Sequence, residues 1–377
     1  MSNRMKIVMV DPLVGNEYAA LLCSGLSNAG VEITLIVPEN REITIAVDYN
    51  VKKWSPPKGG SKGKIIKTFK YIFYLFRLFV FILSYKPTVV HYQFFRRKSE
   101  LLFFLLLGAL GIRLVYTAHN VFPHERNKID FFINNLVYKT SGKIIVHSDF
   151  IKRKIADNFS INEDKISVIL HGNFDFYIPQ HFITICEARE KLGLKETDNV
   201  LLFFGNIREY KGLDLLLSAF NKAAKGNSEL KLLIAGNPSS ETLRIKYQEI
   251  IKNSEFSDRI ISRFDYVPAD EVALYLISSD IVVLPYKSID HSGIIHLAYS
   301  FGKPVIATNV GDFEESIDQG KSGYLIEENT SECLALNIGT VFSSKENLLK
   351  MGQYAKNLND TKYSWVSIAE KTMELYE

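Results

Sequence analysis

The chain has 377 residues, of which 47% are hydrophobic and 23% are charged, and it carries a formal net charge of +3. This composition excludes a disordered chain, a collagen and a small disulfide scaffold, and a usual size of about 100–200 residues per domain predicts two domains. The three cysteines, Cys23, Cys186 and Cys333, are far apart and form no cluster with histidines. We therefore expect no disulfide framework, no structural zinc site and a reducing compartment such as the cytosol.

Short β-rich runs alternate with helical stretches along the chain, which is typical of parallel sheets flanked by helices. The first half predicts strands at residues 6–10, 32–37, 89–92, 113–118, 143–147 and 167–170, with a helix at about 17–29. The second half predicts strands at 200–204, 231–235, 260–264, 281–285, 304–308 and 324–326, with helices at 213–224 and 241–254. Residues 178–199 separate the two sets of strands. We therefore expect an α/β protein of two doubly wound, Rossmann-like domains, 1–178 and 179–360, which face a central cleft, followed by an amphipathic helix within 361–377.

Basic residues are concentrated in one part of the first half. From Lys52 to Lys98 the chain has twelve basic residues and no Asp or Glu. Five residues of this stretch recur at three- and four-residue steps: Lys64, Lys67, Lys70, Tyr74 and Arg77. On a helix they would form a basic stripe beside a phenylalanine-rich face, a pattern typical of helices that lie on anionic membranes. The alternative is that the apolar face belongs to the core and that the lysines are merely solvated.

Neither a membrane-spanning helix nor a nucleic-acid partner is expected. The longest apolar run, residues 71–83, has 13 residues and is interrupted by Arg77, whereas a spanning helix needs roughly 18 or more. Residues 1–5 lack the apolar core of a signal peptide, and the basic stretch carries no helix-turn-helix, RNP or KH pattern. We therefore expect a cytoplasmic protein that lies on the inner face of the cytoplasmic membrane.

The second half carries a pair of cations at a predicted strand end. The segment 204–212 follows an apolar strand and precedes a helix, which places Arg208 and Lys211 at the carboxyl end of that strand. Two cations there suit a diphosphate, both for binding and for stabilising its charge as it leaves. The alternative is a solvated loop with unrelated cations.

A second strand–loop–helix segment, 286–296, predicts further phosphate contacts. Its Ser292 and Gly293 would present backbone amides to a phosphate, with Ser292 as the helix cap. In the segment that follows, Gly302 and Pro304 are interpreted as architectural rather than chemical.

Polar side chains also end the strands of the first half. His119 follows a predicted strand, and His124 and Glu125 lie in the same loop, so that we expect a functional role for His119. His147 and His171 end the next two strands in the same way, with a structural role as the alternative. In the first loop, Gly15 and Asn16 would let a ligand approach the backbone closely. The chain has no G-x-G-x-x-G, no Walker-type loop and no Asp-x-Asp motif, which argues against a dinucleotide site, a P-loop and the simplest metal–diphosphate motif.

Several segments together resemble one enzyme family. They are residues 117–120, 170–173, 205–212, 279–286, 302–311 with Glu315, and 320–325. In this order they are similar to the motifs of glycosyltransferase family 4, which has the GT-B fold. The resemblance implies transfer of a sugar from a nucleotide-sugar donor, with retention at the anomeric carbon and without a bound metal or other cofactor. It also implies a donor site in the second domain, an acceptor site in the first, and a C-terminal helix, within 361–377, that crosses back to the first domain.

The resemblance also assigns residues. Lys211 looks like the family's diphosphate-binding lysine and His119 like the histidine beside the donor sugar, and Arg208 joins them as the third catalytic candidate. The donor candidates are Gly15, Asn16, Asn173, Gly205, Asn206, Asp290, Ser292, Gly293, Ile294 and Glu315. The candidates for acceptor or membrane contact are Lys64, Lys67, Lys70, Arg77 and His124.

Two departures from the family pattern concern the donor site. Asn206 stands where the family has an arginine, and Arg208 would substitute for it. Ile289 and Leu297 stand where the family has a pair of glutamates, and Asp290 would supply part of their role.

These observations predict a metal-independent glycosyltransferase that uses a UDP- or GDP-sugar and a glycan or lipid-linked acceptor in surface polysaccharide synthesis. One alternative is a nucleotide-sugar epimerase, which needs no acceptor and no membrane-facing surface. The other is a non-catalytic scaffold at a membrane glycan synthase, which the missing glutamates favour and the Arg208/Lys211 loop opposes.

Overall fold

The structure, a computed structural model, describes residues 4–14, 17–43, 45–55, 64–95, 98–121, 128–181 and 183–377. The chain divides into two compact units. The first consists of Met1–Gly172 with Ser364–Glu377, and the second of Asn173–Tyr363.

A seven-stranded parallel sheet forms the centre of the first unit. Its strands are β1 (Lys6–Val10), β2 (Glu32–Pro38), β3 (Asn50–Ser55), β4 (Val89–Tyr92), β5 (Leu114–Thr117), β6 (Lys143–Val146) and β7 (Ile166–Val168). They lie in the order β3-β2-β1-β4-β5-β6-β7. The strand order reverses between β1 and β4, where doubly wound sheets bind ligands at their carboxyl ends.

Helices cover both faces of this sheet. They are α1 (Tyr18–Asn28), α2 (Lys64–Tyr85), α3 (Lys98–Ala109), α4 (Lys128–Thr140) and α5 (Asp149–Phe159). Val8 and Val90 point into the core beneath α2 to α5, whereas their neighbours Ile7 and Val89 point into the core beneath α1. Because both faces are buried, the strands are continuous apolar runs instead of alternating ones.

The second unit repeats the architecture with six parallel strands. These are β8 (Asn199–Phe204), β9 (Leu230–Ala235), β10 (Ile260–Arg263), β11 (Ile281–Leu284), β12 (Val305–Thr308) and β13 (Gly323–Ile326), in the order β10-β9-β8-β11-β12-β13. Its helices are α6 (Ile185–Lys191), α7 (Leu213–Ala224), α8 (Glu241–Lys252), α9 (Val272–Ser278), α10 (Ile294–Ser300), α11 (Phe313–Ser316), α12 (Ser331–Phe342) and α13 (Lys345–Asp360). The strand order of this second sheet reverses between β8 and β11, the two strands that precede the predicted diphosphate and Ser292 loops.

The last helix, α14 (Trp365–Tyr376), belongs to the first unit. It packs closely on α1, because a Cβ atom at Gly25 would lie only 2.7 Å from the Trp365 carbonyl oxygen. Ile368 and Ala369 are buried in the core that α1 covers. Arg113, just before β5, donates a hydrogen bond of 2.9 Å to the Leu375 carbonyl and fixes the end of the helix.

The units divide at Gly172/Asn173, earlier than the predicted boundary at 178/179. The Asn173 backbone N–H donates to the Tyr363 carbonyl oxygen at 2.9 Å, and its side-chain amide donates to the Asn359 carbonyl at 3.4 Å. The segment that follows Gly172 therefore packs with the second unit, which extends to Tyr363 rather than to residue 360. The edge strand β3 was not predicted, because its sequence, NVKKWS, lies in the basic stretch and has only one buried residue.

Helix α2 differs from the prediction at Tyr74. Tyr74, expected in the basic stripe, is 3% exposed and packs on the sheet with Leu78 and Ile82. By length and composition alone, Thr68–Tyr85 meets the criterion for a membrane-spanning helix, although the sequence analysis expected none. Lys70 and Arg77 are the two charged residues of this window. Length and composition do not decide whether the helix crosses a membrane, so the expectation of no spanning helix stays a prediction.

Candidate functional site

The loops after β8, β11 and β12 form one surface at the carboxyl edge of the second sheet. The Lys287 backbone N–H, after β11, donates to the Tyr210 carbonyl oxygen in the loop after β8 at 2.6 Å. In the loop after β12, a Cβ atom at Gly311 would lie 2.4 Å from the Ile289 carbonyl oxygen. The three loops therefore contact one another directly, as the sheet order β8-β11-β12 requires.

Lys211 lies at the centre of this surface. The residue is only 9% exposed, and its Nζ lies 5.3 Å from the centroid of the Tyr286 ring. A Cβ atom at Gly205 would be 3.5 Å from Lys211 Nζ and 3.4 Å from Ile294 Cδ1. Among the described residues, no carboxylate and no hydrogen-bond acceptor contacts this ammonium. A largely buried lysine whose ammonium has no anionic partner suits an anionic ligand.

Arg208 begins the short turn that carries Lys211. Its backbone is extended and its carbonyl accepts the Lys211 N–H at 3.0 Å. The side chain is half-buried, and in the described part of the chain its guanidinium has no ion pair. Both predicted cations therefore lie on one turn with their charge uncompensated by the protein.

Gly212 explains why this turn is so close to the neighbouring strand. Its φ is 67°, and a Cβ atom there would lie 1.9 Å from the Pro285 carbonyl oxygen. Only glycine fits both the backbone conformation and the contact. The turn is therefore held against the end of β11.

The loop before α10 differs from the prediction. The helix cap is Gly293, no side chain caps the helix, and Ser292 is buried without the predicted capping role. Ser292 precedes the helix with its carbonyl oxygen 3.4 Å from the Ile295 N–H. Ile294, by contrast, contacts the Gly205 position and so joins α10 to the diphosphate loop.

A buried His–Asp pair lies in the same surface and was missed by the sequence analysis. His291 Nδ1 lies 2.6 Å from Asp312 Oδ2, and the two side chains are 8% and 2% exposed. Leu297, at a position where the family has glutamate, is 4% exposed. The structure therefore has no carboxylate at Ile289 or Leu297, but it buries one nearby at Asp312, which pairs across two loops and has no local sequence signal.

The remaining donor candidates of this unit lie in different environments. Asn206 is exposed, and Asp290 and Glu315 are half-buried. Asn173 uses its side-chain amide within the fold, where it donates to Asp175 Oδ2 at 3.1 Å. Gly205 and Ile294 lie beside Lys211, and the Asp290 carbonyl lies 3.0 Å from a Cβ atom placed at Gly311, in the loop after β12.

In the first unit, the predicted histidines converge at the carboxyl ends of β5 to β7. His119 Nδ1 lies 3.0 Å from His147 Nε2, and His119 Nε2 lies 2.9 Å from Gln93 Oε1. The Tyr18 ring contacts His119, His147 and His171 with centroid distances of 4.8, 5.2 and 4.9 Å. Gln93, which follows β4, was not predicted, because only the fold brings it beside His119.

A fourth histidine lies next to this cluster. His91 is fully buried, and burial lowers its pKa to about 3. Its Nδ1 lies 2.5 Å from the Tyr376 hydroxyl and its Nε2 lies 2.7 Å from Thr117 Oγ1. His91 is therefore neutral at physiological pH and ties β4 to β5 and α14.

The loop after β1 is anchored by a buried ion pair. Arg41 Nη1 donates to Asp11 Oδ2 at 2.6 Å, and both side chains are fully buried. Burial raises the pKa of Asp11, while Arg41 acts in the opposite direction. Gly15, Asn16 and His124 lie outside the described residues, so their predicted roles stay predictions.

The membrane candidates lie on α2. Lys70 and Arg77 are exposed, and the Arg77 guanidinium lies 4.1 Å from the centroid of the Trp54 ring. Lys64 and Lys67 are on the same helix, but their side chains lie outside the described part.

A cavity of about 560 Å³ also lies in the second unit, lined by residues that include Asn199, Asp280 and Lys303. Asn199 begins β8, and Asp280 and Lys303 lie just before β11 and β12, so the cavity lies at the amino edge of the sheet, away from Lys211. Its buried cation Arg189 is bidentate to Asp280 at 2.9 Å. The cation at this cavity is therefore paired within the protein, whereas Lys211 at the carboxyl edge of the sheet is not.

Two family profiles match the chain. Residues 15–172 match the profile described as Glycosyltransferase Family 4, and residues 185–358 match Glycosyl transferases group 1. A D-inositol 3-phosphate glycosyltransferase of Corynebacterium urealyticum is 24% identical over 287 residues, or 72% of this chain and 67% of that protein. A lipopolysaccharide 1,2-N-acetylglucosaminetransferase of Salmonella typhimurium is 29% identical over 271 residues, or 70% of this chain and 66% of that protein.

The solved structures agree on the fold. Anabaena Alr3699/HepE, in complex with UDP and glucose, superposes with a TM-score of 0.75 at 16% identity and covers 99% of both chains. With two doubly wound units, both family profiles and this superposition, the chain belongs to glycosyltransferase family 4 and has the GT-B fold.

Proposed function

We propose that this glycosyltransferase takes a sugar from a UDP- or GDP-sugar and transfers it, with retention, to a glycan or lipid-linked acceptor of a surface polysaccharide. The observation that carries the proposal is Lys211, a nearly buried ammonium without an anionic partner among the described residues. It lies beside Gly205, Tyr286 and Ile294 at the switch point of the second sheet. A diphosphate supplies the negative charge that this position lacks.

Charge stabilisation is the main chemical task of these residues. The bond between the anomeric carbon and the diphosphate oxygen breaks, and its electron pair stays on the diphosphate. Arg208 and Lys211 stabilise that charge as it develops. The acceptor oxygen bonds to the anomeric carbon from the face that the diphosphate leaves, and its proton passes to a diphosphate oxygen. This scheme uses no protein nucleophile and no metal.

The acceptor assignment rests on similarity and on α2. The Salmonella relative is named for lipopolysaccharide as its acceptor. In this chain, Phe69, Phe73 and Phe76 on α2 are 75%, 62% and 62% exposed, in a stretch rich in basic residues and free of acids. We therefore propose a peripheral position on the anionic, cytoplasmic face of the membrane, where a lipid-linked acceptor is available.

The second candidate, a non-catalytic scaffold, is favoured by one observation. Ile289 and Leu297 replace the glutamates of the family pattern, and Leu297 is buried. A scaffold has no need of nucleotide binding, so donor binding separates the two functions.

The experiment is a calorimetric thermal-shift screen with UDP-, GDP-, ADP- and CMP-sugars, followed by a transfer assay with the donor that binds. Binding to the folded state raises the melting temperature by mass action. We expect one nucleotide class to raise it and Lys211→Ala to abolish the rise and lower turnover by about 100-fold or more. Lys321→Ala is the matched control, because that exposed lysine lies before β13, at the opposite edge of the same sheet. An active Lys211→Ala enzyme would contradict the proposed role of the lysine, and no shift with any nucleotide would favour the scaffold.

A further inference from the structure

Three neighbouring helices of the first unit expose an unusually large apolar surface. Of the 22 large apolar side chains exposed in the described part of the chain, thirteen lie on or next to α2, α3 and α4. They are Ile66, Phe69, Ile72, Phe73, Phe76, Val80 and Leu83 on α2, Leu102, Leu106 and Leu110 on or directly after α3, and Ile129, Phe131 and Phe132 on α4. All five exposed phenylalanines of the described part belong to this set, which we call the outer apolar face.

The three helices lie side by side, so the outer apolar face is one surface. All three cover the same face of the first sheet through a shared core. Phe79 of α2 contacts Phe103 of α3, with ring centroids 6.3 Å apart. A Cβ atom at Gly108 of α3 would lie 2.6 Å from Thr140 Cγ2 at the end of α4.

Each helix buries one side against the first sheet and exposes apolar residues on another side. On α2 the buried residues are Tyr71, Tyr74, Leu78 and Ile82, each at most 3% exposed. On α3, Phe104 and Leu107 are fully buried. Apart from Phe131, whose ring stacks on the core residue Phe159 with centroids 4.7 Å apart, the exposed residues lie on the sides of the helices that face away from this core, and monomeric soluble proteins rarely expose large apolar patches.

The charge content of the three helices selects the occupant of this surface. In sequence they carry seven basic residues, Lys64, Lys67, Lys70, Arg77, Lys98, Lys128 and Lys139, against two acids, Glu100 and Asp130. Of the basic side chains that the structure describes, Lys70, Arg77 and Lys139 are exposed. Glu100 is only 2% exposed. A second copy of the chain would bring two basic surfaces together, which repel each other. An anionic lipid bilayer offers both apolar depth and the opposite charge.

We propose that the outer apolar face inserts into one leaflet of an anionic membrane through all three helices, and that apolar contact supplies most of the affinity. The inference rests on the proposed function, to which it adds the membrane-facing surface. The buried side of α2 stays packed on the sheet, so the helix lies in the leaflet instead of crossing the bilayer. The exposed Lys70 and Arg77 then contact lipid head groups, which gives preference for anionic lipids without dominating the binding.

The test is co-sedimentation of the full chain with phosphatidylcholine vesicles, with and without phosphatidylglycerol, at low and high salt. We expect binding to the anionic vesicles that largely survives high salt, because salt screens charges but not apolar contacts. Two variants remove aromatic side chains from separate helices: Phe69→Ser/Phe73→Ser on α2 and Phe131→Ser/Phe132→Ser on α4. Each should weaken binding by about tenfold or more. Leu336→Ser/Leu349→Ser is the matched control, since these residues are 71% and 63% exposed in the second unit, and it should bind normally.

Each contrary outcome overturns a defined part of the inference. Normal binding by the α4 variant would reject the three-helix surface, and binding that high salt abolishes would reject the dominance of apolar contact. A dimer in light scattering that the α2 variant converts to a monomer, without vesicle binding, would assign the surface to a second copy. Resistance to carbonate extraction would indicate a spanning helix.

The transferase proposal is tested separately on the same samples. The nucleotide-dependent thermal shift and transfer to a water-soluble acceptor should be unchanged in both phenylalanine variants, which also shows that they fold. If wild type shows these activities but no vesicle binding, the membrane inference fails alone. If it binds vesicles but no nucleotide, the proposed function fails.

Discussion

His91 predicts a specific acid sensitivity of the first unit. The residue is fully buried, and burial lowers its pKa from 6.5 to about 3. Below about pH 6.5 the unfolded chain therefore binds a proton at His91, whereas the folded unit does not bind it until about pH 3. The free energy of unfolding therefore falls as the pH falls through this window. Above pH 6.5 both states are neutral at this position, and the contribution of His91 is fully present.

The magnitude follows from the same two values. The fall from 6.5 to about 3 corresponds to at most about 5 kcal/mol, since each tenfold change in proton affinity is worth about 1.4 kcal/mol. Between about pH 7.5 and pH 5 only the unfolded state takes up the proton, which lowers the free energy of unfolding by about 2 kcal/mol. The variant His91→Gln lacks this proton site but loses hydrogen bonds to Tyr376 and Thr117, so it is less stable at neutral pH. The difference in stability between wild type and variant should therefore narrow by about 2 kcal/mol as pH falls to about 5.

The chain offers a natural reporter for this measurement. Both of its tryptophans, Trp54 and Trp365, lie in the first unit, so tryptophan fluorescence during urea denaturation follows that unit alone. His181→Gln is the control, because His181 is exposed. If wild type and His91→Gln lose the same stability between the two pH values, the reasoning about His91 is refuted.

Three further predictions concern positioning and packing. His147→Leu removes a contact of His119. We expect turnover to fall about tenfold or more, because the position of His119 is no longer fixed, while the thermal shift caused by the nucleotide stays unchanged. Turnover equal to that of wild type would place His147 outside the site. Gly212→Ala forces a Cβ atom into a neighbouring carbonyl at a φ of 67° and should cost about 1–3 kcal/mol of stability, seen as a lower melting temperature. Gly226→Ala should not lower it, because a Cβ atom there would meet nothing closer than the Ala223 carbonyl oxygen at 4.0 Å. Arg189→Ala leaves the Asp280 carboxylate without its bidentate cation, although it keeps the hydrogen bond from the Val200 N–H. We expect a loss of about 3–5 kcal/mol, measured by calorimetry; a loss below about 1 kcal/mol would contradict the assigned pairing.

The strands and the loop that carries Lys211 were predictable because their determinants are local. A strand buried on both faces is a continuous apolar run whatever it pairs with, so β8 and β11 could be read from residues 200–204 and 281–285. The turn that carries Lys211 is bounded by Gly205 and Gly212, and it follows β8 directly. Its place at the carboxyl edge then follows from the parallel sheet alone.

The pairs that complete the candidate site were not predictable, because they join distant residues. His291 and Asp312 meet across two loops, and Gln93 meets His119 only because β4 and β5 are neighbours in the sheet. No spacing in the sequence marks such pairs.

Helix α2 shows a different limit of sequence reasoning. It is apolar on two sides, so periodicity alone could not decide which side faces the sheet. Tyr74, counted with the lysines, is buried, whereas Phe73, counted with the apolar face, is 62% exposed. The sheet accepts the tyrosine rings and leaves the phenylalanines outside, and only the packed structure shows that the apolar face is not part of the core.

The two nearly buried cations of the second unit, Arg189 and Lys211, have opposite consequences. Arg189, at the amino edge, is 3% exposed and bidentate to Asp280, so its charge is compensated within the fold and its loss should reduce stability. Lys211, at the carboxyl edge, is 9% exposed and has no such partner in the described part, so its charge contributes no ion pair to the stability of the fold. Its replacement by Met should therefore leave the melting temperature of the ligand-free protein unchanged or higher, while nucleotide binding is lost. This contrast is the reason that we propose Lys211, and not Arg189, as the cation that binds the donor diphosphate.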